Sequence, residues 1–330
     1  MKFGKLFLLC GRLLTLSTLA CSAAEAEEPS ANEWDDNRPA FWGREFKEVE
    51  INSSGDGMMQ RAYFFKSQTV EKQPLLVSLH TWSGDYKQKC PLAAQAKSRN
   101  WNYIHPDFRG PNKRSEACLS NLVLTDIDDA IDYAMKNAAV DPEQVYVIGA
   151  SGGGMAALGV FMKSRHRIRS IEAWVPISNL AAMYEETRGR GLQYYKDILQ
   201  CIGSTKTLDL RQARDRSPYY WKTPMDRKNN TALRIYAGIH DGYTGAIPIT
   251  QSLKFYNKVI GDLGCKDKTA FVSLEEMLYM LETRRSPLKT DMLDSIGGRA
   301  IHYRKTYENI QIVIFEGGHE MLSGVALDLL

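Results

Sequence analysis

Histidine is scarce in this 330-residue chain, with six copies, and cysteine equally so. No cluster of Cys and His has the spacing of metal ligands, so no metal is expected. A surplus of one charge is missing too: 42 Lys and Arg stand against 39 Asp and Glu, a net of +3. Lys2, Lys5, Arg12 and Glu25 account for +2 of that. Without a basic stripe or a block of like charge, nucleic-acid binding and a solvated charged tail are not expected. The apolar run near the start is broken by Gly11 and Arg12 and is too short for a membrane span. Neither an internal repeat nor a low-complexity tract is visible.

What the N-terminus does have is the makings of an export signal. Positive residues overlap a Leu- and Phe-rich stretch, and small residues from Ala20 to Ala26 suit a signal peptidase. Cleavage over 1–26 is the first reading, and lipidation of Cys21 the second. Processing would leave Cys90, Cys118, Cys201 and Cys265, which allow three pairings. Cys90 and Cys118 follow two consecutive expected strands and are the first pair to consider; four buried free thiols are the alternative.

Residues 27–43 read as an irregular lead-in and 44–330 as one domain. Phe46–Ile51 and Met58–Lys66 flank Ser53-Ser54-Gly55-Asp56-Gly57, a hairpin signal. Further strands are expected at Pro74–His80, Trp101–His105, Val145–Ala150, Ser170–Val175, Leu233–Gly238 and Ile310–Phe315. Helical spacing recurs between them, as at Ile127, Ala130, Ile131 and Ala134. The pattern predicts an α/β fold: a mainly parallel, eight-stranded sheet with helices on both faces. Two segments read as insertions: about 177–230, which has no strand-like run, as a helical one after the sixth strand, and about 262–308 as a polar one.

The most informative stretch is Val145-Tyr-Val-Ile-Gly-Ala-Ser-Gly-Gly-Gly-Met155, a strand running through G-x-S-x-G into a helix. That order is the nucleophile elbow, which exposes a serine hydroxyl on a strained turn. Ser151 is therefore the expected nucleophile. A serine needs a base and the base needs an orienting acid. His319, in the loop after the last strand, is the expected base. Asp241, in Gly238-Ile239-His240-Asp241-Gly242 after the seventh strand, is the expected acid, although Asp-Gly is also an ordinary turn pair. The backbone N–H of Gly152 suits an oxyanion donor. The second donor is expected from His80-Thr81-Trp82-Ser83-Gly84, with Trp82 ahead of Thr81. Trp82, Tyr243 and Trp221 are candidates to face the substrate, because flat aromatic faces stack on sugar rings or aryl acids. Packing the insertion onto the sheet is the competing role for each.

Gly152-x-Gly154-x-x-Ala157 also fits a dinucleotide fingerprint. The next strand, however, ends Ala173-Trp174-Val175-Pro176 without the acid such a site requires, and several strands precede it. No cofactor is expected.

This constellation resembles the α/β-hydrolase superfamily over residues 44–330. Pro106-Asp107-Phe108-Arg109-Gly110, Gly-Ala-Ser-Gly-Gly at Ser151 and Ser217-Pro218-Tyr219-Tyr220 resemble the catalytic domain of the prolyl oligopeptidase family. In that family the Asp-x-Arg-Gly segment is mostly structural, so Asp107 and Arg109 are assigned no catalytic role. Those peptidases usually carry a large β-propeller, for which there is no room here, and the gap between Asp241 and His319 is long. The chain is also similar to free-standing secreted esterases of the superfamily, many of which act on acylated plant polysaccharides. The resemblance implies a serine esterase acting on small or polysaccharide esters. A peptidase without a propeller is the alternative, and an inactive binding scaffold the second.

Overall fold

The computed structural model describes residues 35, 42–204, 206–287 and 294–330. The expected signal segment 1–26, Cys21 and most of the lead-in 27–43 lie outside the described residues. The first strands are β1 (Lys47–Asn52), β2 (Met59–Phe65), β3 (Gln73–Leu79) and β4 (Asn102–Pro106), with α1 (Pro91–Ser98) before β4. Then come α2 (Asn121–Asn137), β5 (Val140–Ala150), α3 (Gly152–Lys163) and β6 (Ser170–Trp174). The first insertion is helical as expected, with α4 (Leu180–Gly189), α5 (Tyr194–Cys201), α6 (Leu210–Asp215) and α7 (Arg227–Asn230). The chain closes with β7 (Ala232–Gly238), α8 (Thr250–Asp262), α9 (Leu274–Thr283), β8 (Ser295–Ile296), β9 (Arg299–Tyr307), β10 (Ile310–Phe315) and α10 (Ser323–Ala326).

The strands form one sheet in the order β1-β2-β4-β3-β5-β6-β7-β10-β9-β8. From β4 to β10 every pairing is parallel. Register aligns Ile104, Val77, Val147, Ile171, Leu233 and Ile310 in one apolar row across it. Burying each such side chain contributes about 1.5–3 kcal/mol. Strand alternation splits the interior into two cores. Val145 and Val147 face the core that contains α2, α3 and α8, while Ile148 and Ala150 face that of α1 and α10.

Ten strands are present among the described residues, where the sequence pattern predicts eight. The two extra ones, β8 and β9, form an antiparallel hairpin inside the segment read as the second, polar insertion. A bulge opposite Ile314 and Phe315 sends Ile301 and Tyr303 into the two different cores, and Arg304 and Thr306 stay exposed, so no simple alternation shows in the sequence.

The cysteine pairing also differs. Cys118 is bonded to Cys201, with Cα atoms 5.9 Å apart, and Cys90 and Cys265 are free. Cys90 packs against the α1 side of the sheet and Cys118 belongs to the α2 side, so the sheet itself separates the pair suggested by sequence order.

Candidate active site

Ser151 occupies the turn between β5 and α3 with φ +55° and ψ −116°, a conformation that side chains rarely adopt. Its neighbours make the turn possible. A Cβ on Gly149 would stand 2.2 Å from the Gly153 carbonyl oxygen, and one on Gly153 2.3 Å from that of Leu79. The serine amide donates to the Trp174 carbonyl at 2.9 Å, fixing the turn to β6.

Asp241 and His319 follow β7 and β10, so all three side chains emerge at the carboxyl ends of parallel strands, where α/β sheets bind ligands. His319 Nε2 is 3.0 Å from Ser151 Oγ, and its Nδ1 is 2.7 Å from Asp241 Oδ2. The second Asp241 oxygen accepts the amides of Gly242 at 2.9 Å and Ile247 at 3.0 Å. A carboxylate held this way keeps the proton on Nδ1 and leaves the Nε2 lone pair aimed at the hydroxyl.

Gly152 and Trp82 are neighbours across this turn: a Cβ on Gly152 would lie 2.5 Å from the Trp82 nitrogen. Gly152 opens α3, where helix N–H groups have no partner within the helix. Neither its amide nor that of Trp82 meets an acceptor among the described residues. The Thr81 amide, in contrast, is engaged by Gln88 Oε1 at 2.8 Å.

The three aromatic candidates separate. The Trp82 indole is buried and donates to Asp197 Oδ2 at 3.1 Å, with Tyr194 packed edge-on, so it anchors α5 instead of lining an open acyl site. Trp221 lies under Lys163, whose ammonium is 3.5 Å from its ring centre. Lys163 ends α3, a helix roughly 18 Å long that begins beside Ser151. Trp221 is thus at the far end of that helix from the serine, a correction to the sequence reading. Tyr243 stays at the rim, 70% exposed on the Asp241 loop, with the Arg284 guanidinium 4.8 Å from its ring centre.

Other titratable groups have separate tasks. Burial, reinforced by nearby His80, pushes the His105 pKa down to about 3, so that imidazole stays neutral. Arg109 is buried and donates to Asp56 and Asp126, tying the β1–β2 turn to α2, a structural role as expected. Sequence reasoning missed Asp35, which accepts the Thr81 hydroxyl at 2.7 Å. Burial raises its pKa, opposed by that bond and by nearby His319. No sequence signal distinguishes this acid from its neighbours in the lead-in. Among the described residues no group of three or more His, Cys, Asp or Glu is placed to hold a metal.

The sheet order, the helices on both faces and the strained serine turn define an α/β-hydrolase fold. More particularly, residues 92–274 match the prolyl oligopeptidase family, and the chain belongs to it. It is similar to the acylaminoacyl peptidase of Pyrococcus horikoshii, with a TM-score of 0.57 and 17% identity, over 86% of this chain and 38% of that one. Prolyl oligopeptidase B from Galerina marginata gives 0.53 and 15%, over 66% and 31%. Protein bem46 of Schizosaccharomyces pombe is 22% identical over 134 residues, 40% of this chain and 45% of that protein. The match thus spans less than half of each of these proteins.

Proposed function

We propose that this chain is a serine hydrolase that works through an acyl-enzyme. Ser151 is the nucleophile, His319 takes its proton and returns it to the leaving group, and Asp241 holds the imidazole. The amides of Gly152 and Trp82 receive the negative oxygen of the tetrahedral intermediate. One observation carries this reading: the 3.0 Å and 2.7 Å contacts of His319 to a serine on a positive-φ turn and to a buried carboxylate.

For the substrate we propose a carboxylic ester, in a small molecule or an acylated carbohydrate. Exposed Tyr243 at the rim offers a stacking face for either. A peptide or acylaminoacyl substrate has support of equal weight, from the family match and from neighbours named as peptidases. The same imidazole can protonate an amine leaving group, so the three side chains do not choose between the two. The Cys118–Cys201 bond supports export to an oxidising compartment, whether secreted or lipid-anchored.

Hydrolysis of nitrophenyl esters, acetylated xylan and feruloylated arabinose should be compared with that of aminoacyl and prolyl nitroanilides. Ser151→Ala serves as the blank. The ester reading requires kcat/KM to be higher for the best ester outside the nitrophenyl set than for every amide. The reverse order establishes the peptidase reading, and no serine-dependent turnover of any of them removes both.

A further inference from the structure

We propose that Glu316 is a positioning residue, whose carboxylate ties the loop carrying Asp241 to the loop carrying His319 and anchors both to β9. The inference rests on the roles proposed above for Asp241 and His319.

Glu316 is the first residue after β10 and stands three positions before His319. One of its oxygens accepts the Nε2–H of His240 at 2.8 Å, and the other that of His302 at 2.7 Å. His240 immediately precedes Asp241, and its own amide donates to the Gly317 carbonyl at 3.0 Å. His302 sits on β9, only 7% exposed, and its Nδ1 is buried with no partner among the described residues. Because a carboxylate only accepts, both imidazoles must carry their proton on Nε2. Burial raises the Glu316 pKa, but the bonds from His302 and His240 outweigh it and hold the carboxyl below its ordinary range. The charged form is therefore the one that spans the two rings.

The consequence is mechanical. The Asp241–His319 contact joins two separate loops, and its 2.7 Å length depends on how those loops sit against each other. Two backbone bonds, Ile239 N–H to Phe315 O and His240 N–H to Gly317 O, align the chain there. The Glu316 bridge adds a side-chain link between the two loops and reaches β9 through His302, beside the Glu316 amide on the Ala300 carbonyl at 2.7 Å and the Arg299–Glu320 pair at 3.5 Å. A glutamine at 316 has one accepting oxygen and would turn its NH2 toward one of the two N–H donors.

The test compares Glu316→Gln, His240→Ala, the double variant and His240→Gln in the full chain. Thermal unfolding, kcat and KM for p-nitrophenyl acetate, and the downfield proton resonance of the His319–Asp241 hydrogen bond are measured. Misalignment should lower kcat by roughly ten- to hundredfold with KM little changed. The resonance should broaden or disappear, the double variant should be no worse than the poorer single one, and His240→Gln, still a donor, should recover part of the loss. If Glu316→Gln does not fold, His240→Ala, which leaves the Glu316–His302 pair in place, carries the test. Unchanged kcat and resonance overturn the proposal, and so do losses that multiply in the double variant. A wild type with neither turnover nor the resonance defeats the site reading as well, whereas an active wild type with an unaffected variant defeats this inference alone.

Discussion

Breaking the Cys118–Cys201 bond should weaken both the fold and the reaction. The two cysteines are 83 residues apart in sequence. Releasing a loop of that size returns about 15 cal/mol/K of entropy to the unfolded chain, or about 4.5 kcal/mol at 25 °C on the chain-entropy account. The bond also secures the end of α5, the helix whose Asp197 holds the Trp82 indole. Trp82 supplies one of the two proposed oxyanion amides, and complete loss of one donor costs about 3–4 kcal/mol in the transition state. Partial loosening should cost less, on the order of a tenfold fall in kcat. Cys201→Ser, Cys118→Ser and the reduced wild type should be compared by urea unfolding and by turnover of a nitrophenyl ester. Non-reducing peptide mass spectrometry verifies the pairing. Cys265→Ser, which removes a free thiol, should leave the sensitivity to reductant intact. If reduced and oxidised protein share one unfolding midpoint and one kcat, α5 is not stapled to the domain and the link to Trp82 is wrong.

Two further outcomes can be stated. Asp241→Asn should lower kcat by about 10⁴-fold, since the amide no longer enforces the imidazole tautomer, and an enzyme keeping full activity would show the wrong acid was chosen. Glu172, buried on β6, accepts the Trp174 indole N–H at 3.0 Å, and burial lifts its pKa from 4.5 to about 8. The folded state therefore binds the extra proton, so the stability it contributes is complete below pH 4.5 and is lost as pH rises through 8, by about 4–5 kcal/mol in all. Unfolding measured against pH should be flatter by that amount in Glu172→Gln, and parallel curves would show that the carboxyl is not neutral in the native state.

The parts of this molecule that sterics dictate were the legible ones. Gly149 and Gly153 flank Ser151 because any side chain there would meet backbone oxygens at 2.2–2.3 Å, and that requirement is written locally in the chain. The strands β3 to β7 and β10, covered on both faces, read as short apolar runs. What depended on three-dimensional placement was hidden. The order of the cysteines says nothing about which face of the sheet each one meets. Trp221 and Trp82 look alike as aromatic residues, yet one lies at the distant end of α3 and the other braces α5. β9 was disguised by its bulge and by the exposed Arg304 and Thr306. His302 lies in a stretch bounded by Arg299 and Arg304, yet it is buried against Glu316. The adjacency of His240 to Asp241, and of Glu316 to the His319 loop, was the only trace of that bridge in the sequence.

The convergence of Ser151, His319 and Asp241 is tested most directly by labelling with a fluorophosphonate probe, with the modified peptide located by mass spectrometry. The account predicts a single adduct on Ser151 in the wild type, formed far more slowly in His319→Ala. No adduct, an adduct on another serine, or equal labelling rates in the two proteins would contradict it.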